Sequence, residues 1–269
     1  WRLFIDAGGY QDERWWHTEA ARRWQRGEGI ADGPKQQARD FRQTVRDNPA
    51  QIDDLLEAGR ITSTQAQDFT QWYVEMSDGD FEALLDNSFF SDVQTQPRMW
   101  HDPAYKHPAQ PVVGVCWHEA RAYCAWLSAQ TGHDYRLPSE VEWEAAARGQ
   151  AGRRYAWEGD FEPGLCNSFE SHVRGTTPVG VFPGGDTPLG VADLSGNVWE
   201  WTGSLYRPYP YQADDDRENP HDGDVRRVVR GGSWNYSRGG ARCAFRSNYH
   251  PGARVAYLGF RVLCVSPMS

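Results

Sequence analysis

The stretch of chain that most restricts the possible folds lies near the C-terminus, at residues 228–263. It reads VVRGGSWNYSRGGARCAFRSNYHPGARVAYLGFRVL, so an apolar start is followed at once by Gly231 and Gly232. Two adjacent glycines let the backbone bend or bulge where a side chain would clash. At the far end, apolar and other residues alternate in LGFRV, which predicts a short strand. Both ends are therefore predicted to be scaffold.

The middle of this stretch has the composition of a binding surface. Its Tyr, Ser, Asn, Arg and His residues, interspersed with glycine, suit loops and short strands, and adaptable binding surfaces favour these residue types. Composition alone leaves a second interpretation open, in which the stretch is a glycine-rich connection whose aromatic side chains fill the core. The side chains predicted to be exposed are called here the C-terminal surface: Trp234, Tyr236, Ser237, Arg238, Phe245, Ser247, Tyr249, His250, Val255, Ala256 and Tyr257.

Composition narrows the class of protein. A hydrophobic content of 39% in 269 residues is enough for a sizeable core, and 13 tryptophans predict that this core is aromatic and hydrogen-bonded. The formal net charge is −9, whereas binding of a phosphate backbone relies on clustered positive charge, so nucleic acid is not an expected partner. The sequence also lacks an apolar run of the length, about 18 residues, that a membrane-spanning helix needs.

The cysteines and the start of the chain bear on the cellular compartment. Five cysteines at irregular spacing, with no CxxC pair, indicate neither a zinc knuckle nor a complete disulfide framework. Buried thiols in a reducing, cytoplasmic environment are the favoured interpretation. The chain begins at Trp1 within an apolar helical pattern, which resembles entry into the middle of a domain. We therefore expect a missing N-terminal segment, and the localisation stays open.

Helical patterns occur in three places. Residues 34–90 combine Gln, Asp, Glu and Arg with apolar residues at helical spacing, which predicts an insertion of three or four helices with a helix stop at Gly59. We expect these helices to be solvated and to pack on the parent domain. A strong amphipathic helix is predicted from Trp117 to a stop at Gly132, and another helix after the N-cap residue Ser139.

A candidate metal site lies in the loop-rich part that follows these helices. Asp193 and Glu200, with backbone carbonyl groups between them, offer the hard oxygen ligands that calcium takes in an irregular loop. His101 and His107 are interpreted as loop histidines, because no carboxylate accompanies them at ligand spacing.

Five motifs follow one another along the chain: PVVGVCWHEARAYCAWLSAQTGHDYRLPSEVEWEAAARG, then NSF with TTPVGVFP, GVADLSGNVWEWT, RVVRGGSW and LGFRV. In this order they resemble the formylglycine-generating-enzyme or sulfatase-modifying-factor domain. The resemblance implies an α+β fold, a variant of the C-type lectin fold with little regular secondary structure. It covers residues 1–26 and 100–265 and skips the helical insertion. It also implies a single domain over residues 1–269 whose N-terminal strands are missing.

The family's copper chemistry is not expected here. Formylglycine-generating enzymes oxidise a substrate cysteine with copper held by two cysteines shortly after the GGSW motif. The corresponding residues 235–241 contain no thiol, and Cys243 resembles a structural cysteine of the family. Copper in that chemistry needs soft thiolate ligands, so we expect none. Ergothioneine-type sulfoxide synthases share the domain, but their iron histidines lie largely in a separate helical domain, and no comparable histidine cluster occurs in this sequence.

The family's calcium site is carried over more fully. By resemblance to its DLSGNVWEW loop, Asp193 and Glu200 would bind through their side chains, and Gly196 and Val198 through their carbonyl groups. A second family site would use Asn167, although its later acidic ligand has no clear match here. A structural calcium ion is therefore the expected cofactor.

Variable proteins of diversity-generating retroelements use the same lectin-type domain. They diversify residues near the C-terminus while a GGSW…GFR scaffold stays fixed, and the C-terminal surface lies at the matching place within residues 228–263. The resemblance thus implies a variable ligand-binding region. The leading hypothesis is a non-catalytic protein whose C-terminal surface binds a protein or another macromolecule.

Two alternative functions stay open. One is an oxidase or modifying enzyme of the formylglycine type with altered active residues, for which Tyr236, Ser237, Arg246 and His250 are the candidates. The other is a structural adaptor in which the helical insertion, residues 34–90, docks a partner.

Overall fold

A computed structural model describes residues 1–57, 61–89, 91–212, 214–221 and 225–265. The helix stop predicted at Gly59 and the insertion boundary at Phe90 lie outside these residues. No helix in the described part of the chain is long and apolar enough to cross a membrane.

Six short strands form two sheets. In chain order they are β1 (Asp134–Arg136), β2 (Trp199–Leu205), β3 (Arg227–Arg230), β4 (Ser247–Tyr249), β5 (Leu258–Phe260) and β6 (Leu263–Val265). β1 pairs with β6, and the other four strands lie in the order β4-β3-β2-β5, in which only β2 and β5 are parallel. The C-terminal stretch thus supplies three strands of the larger sheet.

Helices make up the rest of the regular structure. They are α1 (Arg2–Asp6), α2 (Glu19–Gln25), α3 (Asp32–Asp47), α4 (Ala50–Glu57), α5 (Ser63–Phe69), α6 (Asp78–Ser88), α7 (Trp117–Thr131) and α8 (Glu140–Arg148). α5 continues into a π-helical segment, Thr70–Glu75. Between α8 and β2 the described chain contains loops and single 3₁₀ turns. The prediction of an α+β fold with little regular secondary structure outside the insertion is confirmed.

The two helices after the insertion begin and end at the predicted residues. α7 ends at Gly132, which has a left-handed backbone with φ of 74°. At the start of α8, the Ser139 hydroxyl accepts a hydrogen bond from the Glu142 amide, and the Glu142 carboxylate accepts one from the Ser139 amide at 2.8 Å. This reciprocal capping box satisfies backbone groups that the first helical turn leaves unpaired.

The core is aromatic, as the tryptophan content predicts. Trp117 and Trp201 are buried in the main cluster, and their indole nitrogens donate to the backbone carbonyls of Thr202 and Val115 at 2.9 and 3.0 Å. Trp143 belongs to a second cluster and donates to Glu200 at 2.6 Å. These bonds join distant segments, so the tryptophans both fill the core and fix its strands and loops in place.

The insertion helices α3 to α6 have a small apolar cluster of their own, centred on Val45 and Ile52. They also contact the C-terminal stretch. A Cβ atom added to Gly33 at the start of α3 would lie 2.3 Å from Nδ1 of His250, so the helix backbone packs directly on this imidazole. Asp40 of α3 forms an ion pair with Arg226, next to β3.

Substitution of Gly132 tests the left-handed helix end. We expect Gly132→Ala to lower the free energy of unfolding by about 1 kcal/mol, because an L side chain is strained at this backbone conformation. Gly79→Ala is the matched control, since a Cβ would meet no atom within 4 Å at either glycine but Gly79 lies inside α6. That change is expected to stabilise by up to about 1 kcal/mol. Urea denaturation measures both, and equal effects would contradict the assignment.

Candidate binding surface

The C-terminal surface lies over the larger sheet. Its scaffold is buried, including Val228 and Val229 of β3 and Leu258 of β5. Ser237 and Arg238 are exposed, and most of the remaining members are half-buried: Trp234, Tyr236, Phe245, Ser247, His250, Val255, Ala256 and Tyr257. The predicted division between a buried scaffold and an accessible middle therefore describes most of this stretch.

Aromatic rings form a continuous layer at this surface. Buried Trp199 lies beneath it, with ring-centroid distances of 5.2 Å to Tyr236 and 5.9 Å to Phe245. Tyr257 lies 6.3 Å from Tyr236, and Val255 packs against the same cluster. One side of each surface ring thus contacts the core, which orders these side chains before any ligand arrives.

Tyr249 differs from the prediction, because it is buried in the structure with 5% of its surface exposed. It pairs with Arg227 across the β3–β4 ladder, and its ring packs on Trp201 with a centroid distance of 6.4 Å. Burial, followed by the neighbouring hydroxyl groups of Tyr257 and Tyr236, raises the pKa of Tyr249 well above its usual value. Tyr249 therefore supports the surface from below.

Three arginines of the C-terminal stretch hold this surface to the rest of the molecule. Each forms a two-point contact with a buried glutamate of another element: Arg246 with Glu140 of α8, Arg254 with Glu119 of α7, and Arg261 with Glu200 of β2. Sequence reasoning missed these anchors. The preference for arginine over lysine was the available signal, because the planar guanidinium suits bidentate pairing, but it does not identify the partners.

The predicted calcium loop has a compact but already paired arrangement. Glu200 accepts hydrogen bonds from Arg261 at 2.5 and 2.6 Å and from the Trp143 indole at 2.6 Å. Asp193 accepts from the Gly180 amide at 3.0 Å, and burial raises the pKa of its carboxyl group. The guanidinium thus takes the place of a cation at Glu200, and in this arrangement the residues fit calcium poorly.

The other predicted calcium ligands are engaged within the loop. The Gly196 amide donates to the Gly231 carbonyl at 2.7 Å, and Val198 lies buried beside it, immediately before β2. The Asn167 side chain donates to the Gly175 carbonyl at 2.8 Å. Among the described residues, no group of three or more His, Cys, Asp or Glu side chains could hold a metal ion. That search does not cover carbonyl ligands, and calcium binding stays a prediction.

The cysteines are present as free thiols. Burial raises the pKa of Cys124 and Cys166 to about 12, and that of Cys243 to about 11. Such thiols are protonated at neutral pH, whereas the thiolate is the form that attacks substrates and binds copper.

His118 of α7 is a buried histidine with an unpaired ring nitrogen. Only 5% of the residue is exposed, and its Nδ1 has no hydrogen-bond partner among the described residues. Burial, followed by the nearby charges of Arg121 and Arg227, lowers the pKa of His118 to about 3. The imidazole is therefore neutral at physiological pH.

Removal of the Glu200 charge tests the arginine pair. We expect Glu200→Gln to lower the free energy of unfolding by about 2–3 kcal/mol, somewhat less than for a fully buried pair because the Arg261 side chain is 28% exposed. Glu82→Gln is the matched control, since Glu82 pairs with Arg39 in the same two-point manner at 46% exposure. Its expected cost is below about 1 kcal/mol.

The same pair of variants tests the calcium prediction. Added calcium should leave the thermal midpoint of the wild type unchanged if Arg261 keeps the Glu200 carboxylate. A calcium-dependent rise that Glu200→Gln abolishes and Glu82→Gln retains would show that the ion displaces the arginine.

The neutral state of His118 predicts a pH dependence of stability. The pKa in the folded protein, about 3, lies below that of an unfolded chain, near 6.5. The unfolded state therefore binds the proton more readily, and this stability is complete above pH 6.5 and is lost as the pH falls towards 3. We expect His118→Phe to remove a loss of about 1.4 kcal/mol between pH 7.5 and 5.5, measured by urea denaturation. Exposed His133→Gln should leave that loss unchanged.

Comparison with known proteins places the chain among relatives of mixed activity. It is 33% identical to hercynine oxygenase of Mycolicibacterium thermoresistibile over 277 aligned residues, covering 97% of this chain and 47% of that protein. It is 39% identical to the inactive C-alpha-formylglycine-generating enzyme 2 of Bos taurus over 167 residues, covering 56% of this chain and 49% of that protein. The chain thus spans about half the length of these curated relatives.

Structural comparison supports the same fold. Variable protein 1 of Treponema denticola superposes with a TM-score of 0.53 at 24% identity, covering 62% of this chain and 76% of that one. This likeness concerns the fold alone, and the predicted C-type-lectin-like fold of the formylglycine-generating-enzyme type is confirmed. Residues 1–265 match the family model described as the sulfatase-modifying factor enzyme 1-like domain, a range that includes the insertion which the sequence resemblance skips. The chain belongs to this family.

Proposed function

We propose that this protein is a non-catalytic ligand-binding protein, and that the C-terminal surface contacts a protein or another macromolecule. The observation that carries the proposal is the separation of roles within one stretch. Scaffold residues such as Val229 and Leu258 are fully buried, whereas Ser237, Arg238 and their half-buried neighbours remain accessible. Changes at accessible positions cost little core burial, so such a surface can alter without loss of the fold.

The chemistry of the surface suits macromolecular recognition. Tyr236, Tyr257 and Trp234 provide large amphipathic groups that lose little conformational entropy on binding, and Arg238 and Ser237 provide adaptable hydrogen-bonding groups. The indole nitrogen of Trp234 is buried and has no hydrogen-bond partner among the described residues, which leaves a donor at this surface unsatisfied. A ligand that supplies an acceptor there would gain a hydrogen bond at no cost in existing ones.

We further infer that this surface is diversified, as in the variable proteins of diversity-generating retroelements. The fixed parts of that pattern, GGSW and GFR, coincide here with buried scaffold from Gly231 to Ser233 and at Leu258 and Gly259. The resemblance in fold to variable protein 1 of Treponema denticola is consistent with this function.

The second candidate function is an oxidase or modifying enzyme with altered active residues. The specific observation that favours it is the 33% identity to hercynine oxygenase over 97% of this chain. Against it, two candidate catalytic groups already have partners. Arg246 pairs with Glu140 and lies over the rings of Tyr206 and Tyr209, and His250 Nδ1 accepts from the Gly252 amide at 3.1 Å. The protonated state of Cys243 is also unsuited to thiolate chemistry.

Deep sequencing of the 3′ end of the gene across a population of the source organism tests diversification. We expect substitutions to concentrate at the exposed and half-buried members of the C-terminal surface, at adenines of a nearby near-copy of the segment. Codons for Arg246, Arg254 and Arg261 should stay fixed, because each arginine neutralises a buried carboxylate. The Tyr249 codon should vary less than its neighbours, because its ring lies in the core.

Two results would contradict these proposals separately. An invariant 3′ end without a near-copy would remove the diversification but not the binding role. Oxygen consumption by the purified chain that Tyr236→Phe abolishes, with the fold retained, would instead support the enzyme.

A further inference from the structure

A polar cavity lies between the helical insertion and the rest of the molecule. Its volume is about 490 Å³, and its walls come from α2, the start of α3, the first turn of α7 and the turn after β4. The residues used below are Arg23, Trp24, Lys35, Arg39, His118 and His250. The cavity therefore touches the C-terminal surface only at His250.

Two buried ring nitrogens in the walls of this cavity have no hydrogen-bond partner among the described residues. They are Nε1 of Trp24, a residue that is 3% exposed, and Nδ1 of His118. An indole N–H can only donate, and leaving such a group unpaired costs about 1–3 kcal/mol. Trp24 itself is fixed by stacking on Trp16 at a centroid distance of 5.5 Å, so its ring is not free to turn towards another acceptor.

The charged groups of the walls leave unused donors. Lys35 gives one hydrogen bond to Asp86, at 2.6 Å, and Arg39 gives Nε and Nη2 to Glu82, so each retains N–H groups. Arg23 reaches Glu28 only at 3.4 Å, and its side chain is 55% exposed.

Acceptors in the walls are fewer. Glu28 accepts from Arg26 at 2.8 Å, and Asp32 is exposed at the start of α3. Three basic side chains thus face two acidic ones in this lining. The surplus of donors favours an occupant that brings acceptor oxygens.

We propose that this cavity binds a small molecule through a carboxylate or phosphate group, with Trp24, Arg23 and Lys35 as donors and His118 as a further polar contact. The occupant would satisfy both unpaired ring nitrogens. Because Gly33 packs on His250 at the same place, it would also stabilise the contact between the insertion and the turn after β4. This site is independent of the proposed recognition function, since His250 is the single residue that the two share in the described structure.

Nuclear magnetic resonance of the ¹⁵N-labelled chain tests the proposal directly. The 13 tryptophans give separate indole N–H signals, and Trp24→Phe identifies the one from Trp24. Titration at constant ionic strength with inorganic phosphate in one series, and with succinate in another, distinguishes the two sources of oxygen acceptors. We expect at least one anion to move the Trp24 signal to saturation while the Trp234 signal stays in place.

Surface variants provide the control. Arg23→Ala removes an exposed donor of the cavity and should weaken binding about tenfold, the effect of losing one charge-assisted hydrogen bond. Arg14→Ala removes an equally exposed arginine that does not line the cavity and should leave binding unchanged. A Trp24 signal that neither anion moves to saturation, or an equal response in both variants, would overturn the proposal. Repeating the titration in Tyr236→Ala separates this outcome from any failure of the proposed recognition function.

Discussion

The buried ion pairs of Arg246, Arg254 and Arg261 are the interactions on which the rest of the structure depends. Each arginine lies in the C-terminal stretch, and each neutralises a buried glutamate from a different element: Glu140, Glu119 or Glu200. A buried carboxylate without its partner costs about 3–5 kcal/mol, so the fold is stable only when all three arginines occupy these positions. The chain between the anchors is held at its ends, whichever side chains it carries.

This arrangement explains how loops with little regular hydrogen bonding can present an ordered surface. Between Arg230 of β3 and Arg261, the described chain forms two three-residue strands, β4 and β5, and the rest is turn and loop. The anchors and the aromatic layer over Trp199 supply the order that longer strands would otherwise provide. Preorganisation of this kind lowers the entropy that a binding surface loses when it meets a ligand.

The sequence was sufficient for features that depend on neighbouring residues. Ser139 with Glu142 gives a helix start and Gly132 a helix end, because capping acts within a few residues. The burial of Tyr249 was not predictable in this way, since Ser247 and Tyr249 share one face of β4 and only packing on Trp201 decides how deeply each lies. Likewise, the loop around Glu200 reads as a calcium ligand until its distant partner, Arg261, is known.

The insertion changes the access to the C-terminal surface. Gly33 covers the His250 ring, and Arg226, held by Asp40 of α3, donates to Asn248 at 3.0 Å. Both contacts lie at the end of β4, so a ligand cannot approach freely over that end. Ser237 and Arg238 are exposed in the turns after β3, away from these contacts. The insertion therefore restricts recognition to the part of the surface that extends from Trp234 to Arg238 and over Tyr257, and a substitution at Asp40 would alter binding without touching the ligand.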